Sequence, residues 1–184
     1  MIDPDNFTNY ARTDAQLEEF FLFCAIVSGK DAHAQAEVLE NFLSVVFGRS
    51  PFDKIKRLIR SGELVEHLKE CRIAQHNRIA KLFEDVVDLD LRTCTVDQLE
   101  NLRGCSPMTA RMFLMHTRPN QKMAAIDAHV LKHLATLNIK VPKATPPAGP
   151  TYRRLEADFI RLAEAADMEV AEYDLMIWKQ FTNN

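Results

Sequence analysis

The chain has 184 residues, of which 47% are apolar and 27% charged, and its net charge at pH 7 is −3. That length suits one compact unit or two small lobes, and the apolar fraction supports a real core and excludes a disordered chain. The slight acidity does not announce a nucleic-acid binder, although for such partners the distribution of charge matters more than its sum. No membrane-spanning run and no secretory leader is visible, so the expected location is a reducing cytoplasm. Cys24, Cys71, Cys94 and Cys105 are widely separated, with no C-x-x-C pair to signal zinc or redox chemistry. Only five glycines, with many Leu, Ala, Glu and Lys, favour an all-α chain.

Taken in order, residues 1 to 13 are polar and read as an irregular lead-in. Asp14 can cap a helix running to about Ser28, with Leu17, Phe20, Phe21, Phe23, Cys24 and Val27 pointing into a core. The chain breaks at Ser28-Gly29-Lys30-Asp31 and resumes as a second helix to about Val46. Ser50-Pro51 starts a third helix, because Pro is tolerated at the first helical position, and Gly62 ends it. A short helix over 63 to 70 follows, and then one from Ile73 to Val87. Basic residues recur through this middle stretch (Arg57, Arg60, Lys69, Arg72, Arg78, Lys81), a run that serves equally as a solvated helix face.

Thr95 to Leu102 has apolar Val96, Leu99 and Leu102 at helical spacing, and Thr95 with Gln98 forms a capping-box pattern. The break Arg103-Gly104-Cys105-Ser106-Pro107 leads into a helix from about Met108 to His116, making a helix-hairpin-helix candidate. Backbone N–H groups at such a turn form an anion site, and Arg103, Arg111 and Arg118 can add charge nearby. Such a site holds phosphate oxygens without reading a sequence. After a loop, Asp127 stands at the N-cap of a helix over Ala128 to Leu134. A proline-rich loop, 140 to 150, precedes a helix starting at Thr151, and a last helix runs from Glu169 to about Phe181. No strand pattern or internal repeat stands out.

The order Leu-x-Gly-x-x-Pro-x-Thr-Ala, a loop, then Ile-Asp-x-His-Val resembles the helix-hairpin-helix DNA glycosylase superfamily, and the resemblance covers most of the chain. It implies a two-lobed helical fold, with 1–30 plus 128–184 in one lobe and 31–127, including the hairpin at about 95–116, in the other. It implies that Asp127 is the catalytic carboxylate, where residues alone allow a plain N-cap as well. It further implies that Gly104, Ser106, Met108, Thr109, Arg103 and Arg111 meet the DNA backbone. Lys30 lies at the break that stands beside DNA in the family, where it would contact phosphate or substrate; its plainer reading is an exposed lysine in a turn. Gln75, Asn77 and His129 are pocket candidates, with His129 orienting Asp127. Trp178 reads as core.

Two departures from the family matter. Ser106 replaces the second hairpin glycine and so gives up easy access to positive φ. Met108 replaces the lysine that forms a Schiff base in bifunctional members, so strand cleavage by an amine from that position is not expected. The four closely spaced cysteines of an iron–sulfur cluster are absent near the C-terminus. No cofactor is expected beyond a monovalent cation at the hairpin.

Within the superfamily, FFLFCAIVSGKDA, HTRPN and VPKATPP resemble the alpha-glutamyl/putrescinyl thymine pyrophosphorylase group, phage amino acid:DNA transferases of thymidine hypermodification. That likeness implies a monomer acting in a bacterial host cytoplasm. Its substrates would be DNA carrying phosphorylated 5-hydroxymethyluracil and an amine such as glycine or a polyamine. In that reaction Asp127 would hold or deprotonate the amine, and Lys30 or Arg111 would hold the leaving phosphate. Two alternatives stand beside it. One is a monofunctional repair glycosylase that removes a damaged or mismatched base. The other is an inactive DNA-binding hairpin module.

Overall fold

A computed structural model describes residues 2–182, and among these residues it contains ten helices and no strand. The chain divides into two compact units, residues 1–4 with 12–105 and residues 5–11 with 106–184.

The first unit is built on α1 (Asp14–Val27), whose residues from Phe20 to Val27 are all buried. A helix that is apolar all round needs neighbours on every side. Here α2 (Ala32–Ser44), α3 (Pro51–Ser61) and α5 (His76–Val86) supply them, with α4 (Leu64–Glu70) packed on α3 and α5. The cap of α1 is Thr13, which forms a capping box with Gln16, and not Asp14; the Asp14 carboxylate instead pairs with Arg92, with Nε at 2.9 Å. Ser50 caps α3 with Pro51 in its first turn, and Gly62 closes it in the left-handed region, as the sequence predicts. The helix expected from Ile73 begins at His76, because Arg72 (φ 58) and Gln75 (φ 54) turn the backbone out of helical geometry. The short α6 (Val96–Glu100) carries the predicted Thr95–Gln98 capping box.

The second unit contains α7 (Pro107–Thr117), α8 (Ala128–Thr136), α9 (Pro150–Ala165) and α10 (Val170–Thr182). α10 packs against the other three. The core between them holds Met115, Ile126, Leu134, Leu155, Phe159 and Ile177. Pro150 opens α9 one residue before the expected Thr151, since its missing N–H costs nothing in a first turn.

The grouping differs from the expected lobes of 1–30 plus 128–184 and 31–127. α1 is enclosed by α2, α3 and α5, so it belongs with them. The N-terminal residues that join the C-terminal helices are 5–11. Their anchor is Phe7, buried edge-on to the His116 ring at 4.6 Å, with the Asn9 N–H donating to the His116 carbonyl at 3.0 Å. Of the expected lead-in, residues 5–11 therefore belong to the second unit. The boundary falls inside the hairpin, between Cys105 and Ser106.

Candidate active site

Asp127 caps α8 as its sequence position predicts. Its Oδ1 accepts from the Val130 N–H at 2.8 Å, and its Oδ2 lies 3.0 Å from His129 Nδ1. One carboxylate oxygen thus finishes the helix and the other faces an imidazole. The Asp127 side chain is 35% exposed and that of His129 28%, so the pair is open to a ligand. The hydrogen bond to Asp127 raises the His129 pKa, partly offset by burial.

The segment leading to Asp127 is held by α9. The Tyr152 hydroxyl donates to the Ala124 carbonyl and accepts from the Ile126 N–H, both at 3.0 Å. Glu156, one turn further along, accepts from the Ala124 N–H at 3.0 Å and from Arg111 Nε at 2.6 Å. Arg111 also lies 4.7 Å over the Tyr152 ring. The Arg111 and Glu156 side chains are each 13% exposed. Arg111 is therefore committed to an internal ion pair, which corrects its reading as a surface charge beside the hairpin. Met108 and Thr109 are also buried, so neither side chain presents itself at the hairpin surface.

The hairpin turn is shaped by Gly104, at φ 81. A Cβ there would come within 2.8 Å of Arg78 Cγ and 2.9 Å of the Arg78 carbonyl oxygen, so close approach as well as φ requires glycine. The Gly104 carbonyl accepts from the Arg78 guanidinium, which also reaches the Ala25 carbonyl at 3.3 Å. Arg103 remains on the surface, forked onto Asp85 with Nη2 to Oδ1 at 2.6 Å, and it contacts Glu84 as well. Ser106 has φ −95, so no positive φ is required at this position. It is the N-cap of α7, its Oγ accepting from the Thr109 N–H at 3.1 Å. The expected cost of replacing glycine there does not arise.

Lys30 is exposed after the turn at Gly29, with Nζ 3.5 Å from Gln35 Oε1. Partial burial and then the charge of Arg78 lower its pKa. Gln75 and Asn77 are exposed at the start of α5, and Gln75 Oε1 accepts from Arg78 Nε. The structure thus gathers the sequence-predicted residues as two groups. In the first unit Gln75 and Gly104 are linked through Arg78, whose charge also acts on Lys30; in the second Asp127 stands with His129.

Sequence reasoning missed Tyr152 and Glu156 as supports of the Asp127 segment, and it did not single out Arg78 from a run of basic residues. It also missed Thr8, His116 and Asp174. His116 Nδ1 lies 2.7 Å from Thr8 Oγ1, and its Nε2 lies 3.2 Å from Asp174 Oδ2. The available signal was a charged residue set inside an apolar helical stripe, as Glu156 is between Leu155 and Phe159 and Asp174 between Tyr173 and Leu175.

Among the described residues no helix is long and apolar enough to cross a membrane, and no group of three or more His, Cys, Asp or Glu is arranged to hold a metal ion. No family model matches the chain, and no curated protein does. The fold is that of the helical helix-hairpin-helix DNA glycosylases. The chain is similar to the 8-oxoguanine glycosylase/lyase of Methanocaldococcus jannaschii in complex with a 15mer DNA containing 8-oxoguanine. The TM-score is 0.71 and the identity 19%, over 98% of this chain and 88% of that one. A second structure, of the 8-oxoguanine DNA glycosylase from the same organism, gives a TM-score of 0.70 at 19% identity, over 97% and 84% of the two chains.

Proposed function

We propose that this chain is a DNA glycosylase that releases a modified base, with Asp127 as its working carboxylate. The likeness of fold to 8-oxoguanine glycosylases over nearly the whole chain supports this class of enzyme. The observation that carries the reading is the second oxygen of Asp127, which faces His129 at a partly exposed position while the first oxygen caps α8. A base inside a duplex must be extruded before it can be worked on. As its bond to the sugar breaks, the base leaves with the electron pair and C1′ becomes cationic. A fixed carboxylate stabilises that charge, or takes the proton of the water that adds to C1′.

The residue at the family's Schiff-base position is a buried methionine, so no amine acts from there. The protein is accordingly proposed as monofunctional at the hairpin. DNA backbone is assigned to the turn around Gly104 and Ser106, with Arg103 at its edge. Of the first turn of α7, Pro107 carries no N–H and the Thr109 N–H is taken by Ser106, so Met108 N–H is the donor assigned to phosphate. A monovalent cation at the hairpin would compete with Arg78, whose positive charge the Gly104 carbonyl already faces. DNA is the proposed partner, and 8-oxoguanine, named for the two similar structures, is the first base to try. A monomer in a reducing cytoplasm belongs to the same proposal.

The second reading is amine transfer onto phosphorylated 5-hydroxymethyluracil in DNA, favoured by the segments FFLFCAIVSGKDA, HTRPN and VPKATPP. Nucleoside mass spectrometry separates the two. Purified protein is given DNA bearing oxidised, deaminated or alkylated bases and, separately, DNA bearing phosphorylated 5-hydroxymethyluracil with amino acids and polyamines. A free base and an abasic site support the glycosylase. A nucleoside that gains an amine with its base still attached overturns it in favour of the transferase.

A further inference from the structure

Arg78 is a half-buried cation that the mechanism above does not use. Burying a guanidinium is costly unless its N–H groups find acceptors. Its fork reaches acceptors on three separate stretches of the first unit. One terminal nitrogen donates to the Gly104 carbonyl in the hairpin turn, the other to the Ala25 carbonyl at 3.3 Å, and Nε donates to Gln75 Oε1 at 2.5 Å. Ala25 lies in the last turn of α1, where helix carbonyls lack intrahelical partners and a cation suits the helix dipole.

These stretches carry or adjoin the sequence-predicted DNA contacts of this unit. α1 ends at Val27, whose carbonyl accepts from the Lys30 N–H at 3.0 Å. Gly104 meets Arg78 only because it has no Cβ, which would come within 2.8 Å of Arg78 Cγ. Gln75 stands at φ 54, a conformation that costs energy for a residue with a side chain and persists where its neighbours impose it. Arg78 grips it at both ends: its main-chain N–H donates to the Gln75 carbonyl at 2.8 Å, and its Nε holds the side-chain oxygen. A guanidinium offers donors only, so the amide oxygen of Gln75 faces Arg78 and the NH2 group is turned away. Gln75 is exposed, and the group it presents is therefore a hydrogen-bond donor.

We propose that Arg78 is a positioning residue for DNA: its fork holds the Gly104 side of the hairpin turn, the end of α1 and Gln75 in one arrangement, and aims the Gln75 NH2 at an acceptor on the nucleic acid. The proposal rests on the assignment of DNA to the hairpin turn. What Arg78 supplies is the planar fork, which a lysine of the same charge does not reproduce.

The test uses the full chain at a temperature where each variant is folded. It measures affinity for a duplex carrying a stable abasic-site analogue over a series of salt concentrations. It also measures amide exchange at Cys105, whose N–H donates to the Leu102 carbonyl at 3.1 Å within the turn. Arg78→Lys keeps the charge and loses the fork, and it is expected to weaken binding and to speed Cys105 exchange, each about 10-fold. Arg78→Gln is expected to weaken binding as much, with the slope of log affinity against log salt unchanged. A slope smaller by about one would mean that Arg78 itself meets a phosphate, and would overturn the proposal. Gln75→Ala should weaken binding about 5-fold alone and no further when added to Arg78→Lys; additive losses overturn the proposal as well. So do binding and Cys105 exchange at the wild-type level in Arg78→Lys, whatever its melting temperature, since Arg78 is then only a support of the fold. Should Arg78→Gln not fold, Arg78→Lys and Gln75→Ala decide. A wild type that binds no duplex loses the DNA reading, while Cys105 exchange still decides whether the fork holds the turn.

Discussion

Asp31 and Asp127 begin helices with the same local chemistry. Each is an N-cap, and each accepts a backbone N–H three residues on at 2.8 Å, from Ala34 and Val130 respectively. Their surroundings differ. Asp31 follows the exposed turn Ser28-Gly29-Lys30, whereas Asp127 follows a segment pinned by Tyr152 and Glu156 and places its second oxygen 3.0 Å from His129. A cap is a local device that any surface helix can use. A cap becomes a candidate catalytic group when the preceding chain is held rigidly and the spare oxygen has a titratable partner.

Breaking the support of Asp127 is expected to give the largest effect. Glu156→Ala leaves Arg111 buried without its carboxylate and frees the Ala124 N–H, which should cost about 3–5 kcal/mol in denaturant unfolding. A loss below 1 kcal/mol would mean that the ion pair does not hold this segment. Gly104→Ala places a Cβ against Arg78 in the left-handed region, and about 1–3 kcal/mol is expected, read from the same curves. An unchanged midpoint would show that the turn has another conformation open to it. Asp31→Ala should cost about 1 kcal/mol by loss of its cap and leave turnover unchanged. Lost turnover there would remove the distinction between the two aspartates.

The smallest effect is one of slope. The raised pKa of Asp174 means that the folded chain holds its proton at a pH where the unfolded chain has released it. That contribution to stability is complete below the ordinary carboxylate value and is lost as pH rises through the folded value. Asp174→Asn lacks this loss, so its stability relative to wild type should rise with pH across that window. Denaturant unfolding at a series of pH values reads it, and a constant difference would contradict the assignment. His129 is also raised, and its contribution likewise disappears as pH climbs through its folded value, in a window that starts from the ordinary imidazole range.

Most helices were legible because their ends carry local signals. Ser50-Pro51, Gly62, the Thr95–Gln98 box and Asp127 act within a few residues of themselves. Thr13 with Gln16 carries the same box signal, yet the adjacent Asp14 drew the assignment by one residue. The start of α5 was misplaced because two non-glycine residues, Arg72 and Gln75, take positive φ, which residue type does not announce. In the site, Asp127 and His129 were legible from a contiguous motif. Tyr152, Glu156, His116 and Asp174 act across 26 to 108 positions, and helical periodicity holds no record of such partners. The same limit explains Arg111, whose charge looked available until Glu156 was seen beside it.

The most direct test of the account compares base release by wild type, Asp31→Asn and Asp127→Asn on a duplex carrying 8-oxoguanine or another base that the mass-spectrometric panel identifies. Asparagine caps a helix about as well as aspartate, so both variants should fold with nearly wild-type stability. Unchanged release is expected for Asp31→Asn and at least about a 100-fold slower rate for Asp127→Asn, with DNA binding retained. Equal rates for Asp127→Asn and wild type would contradict it and leave Asp127 as a helix cap.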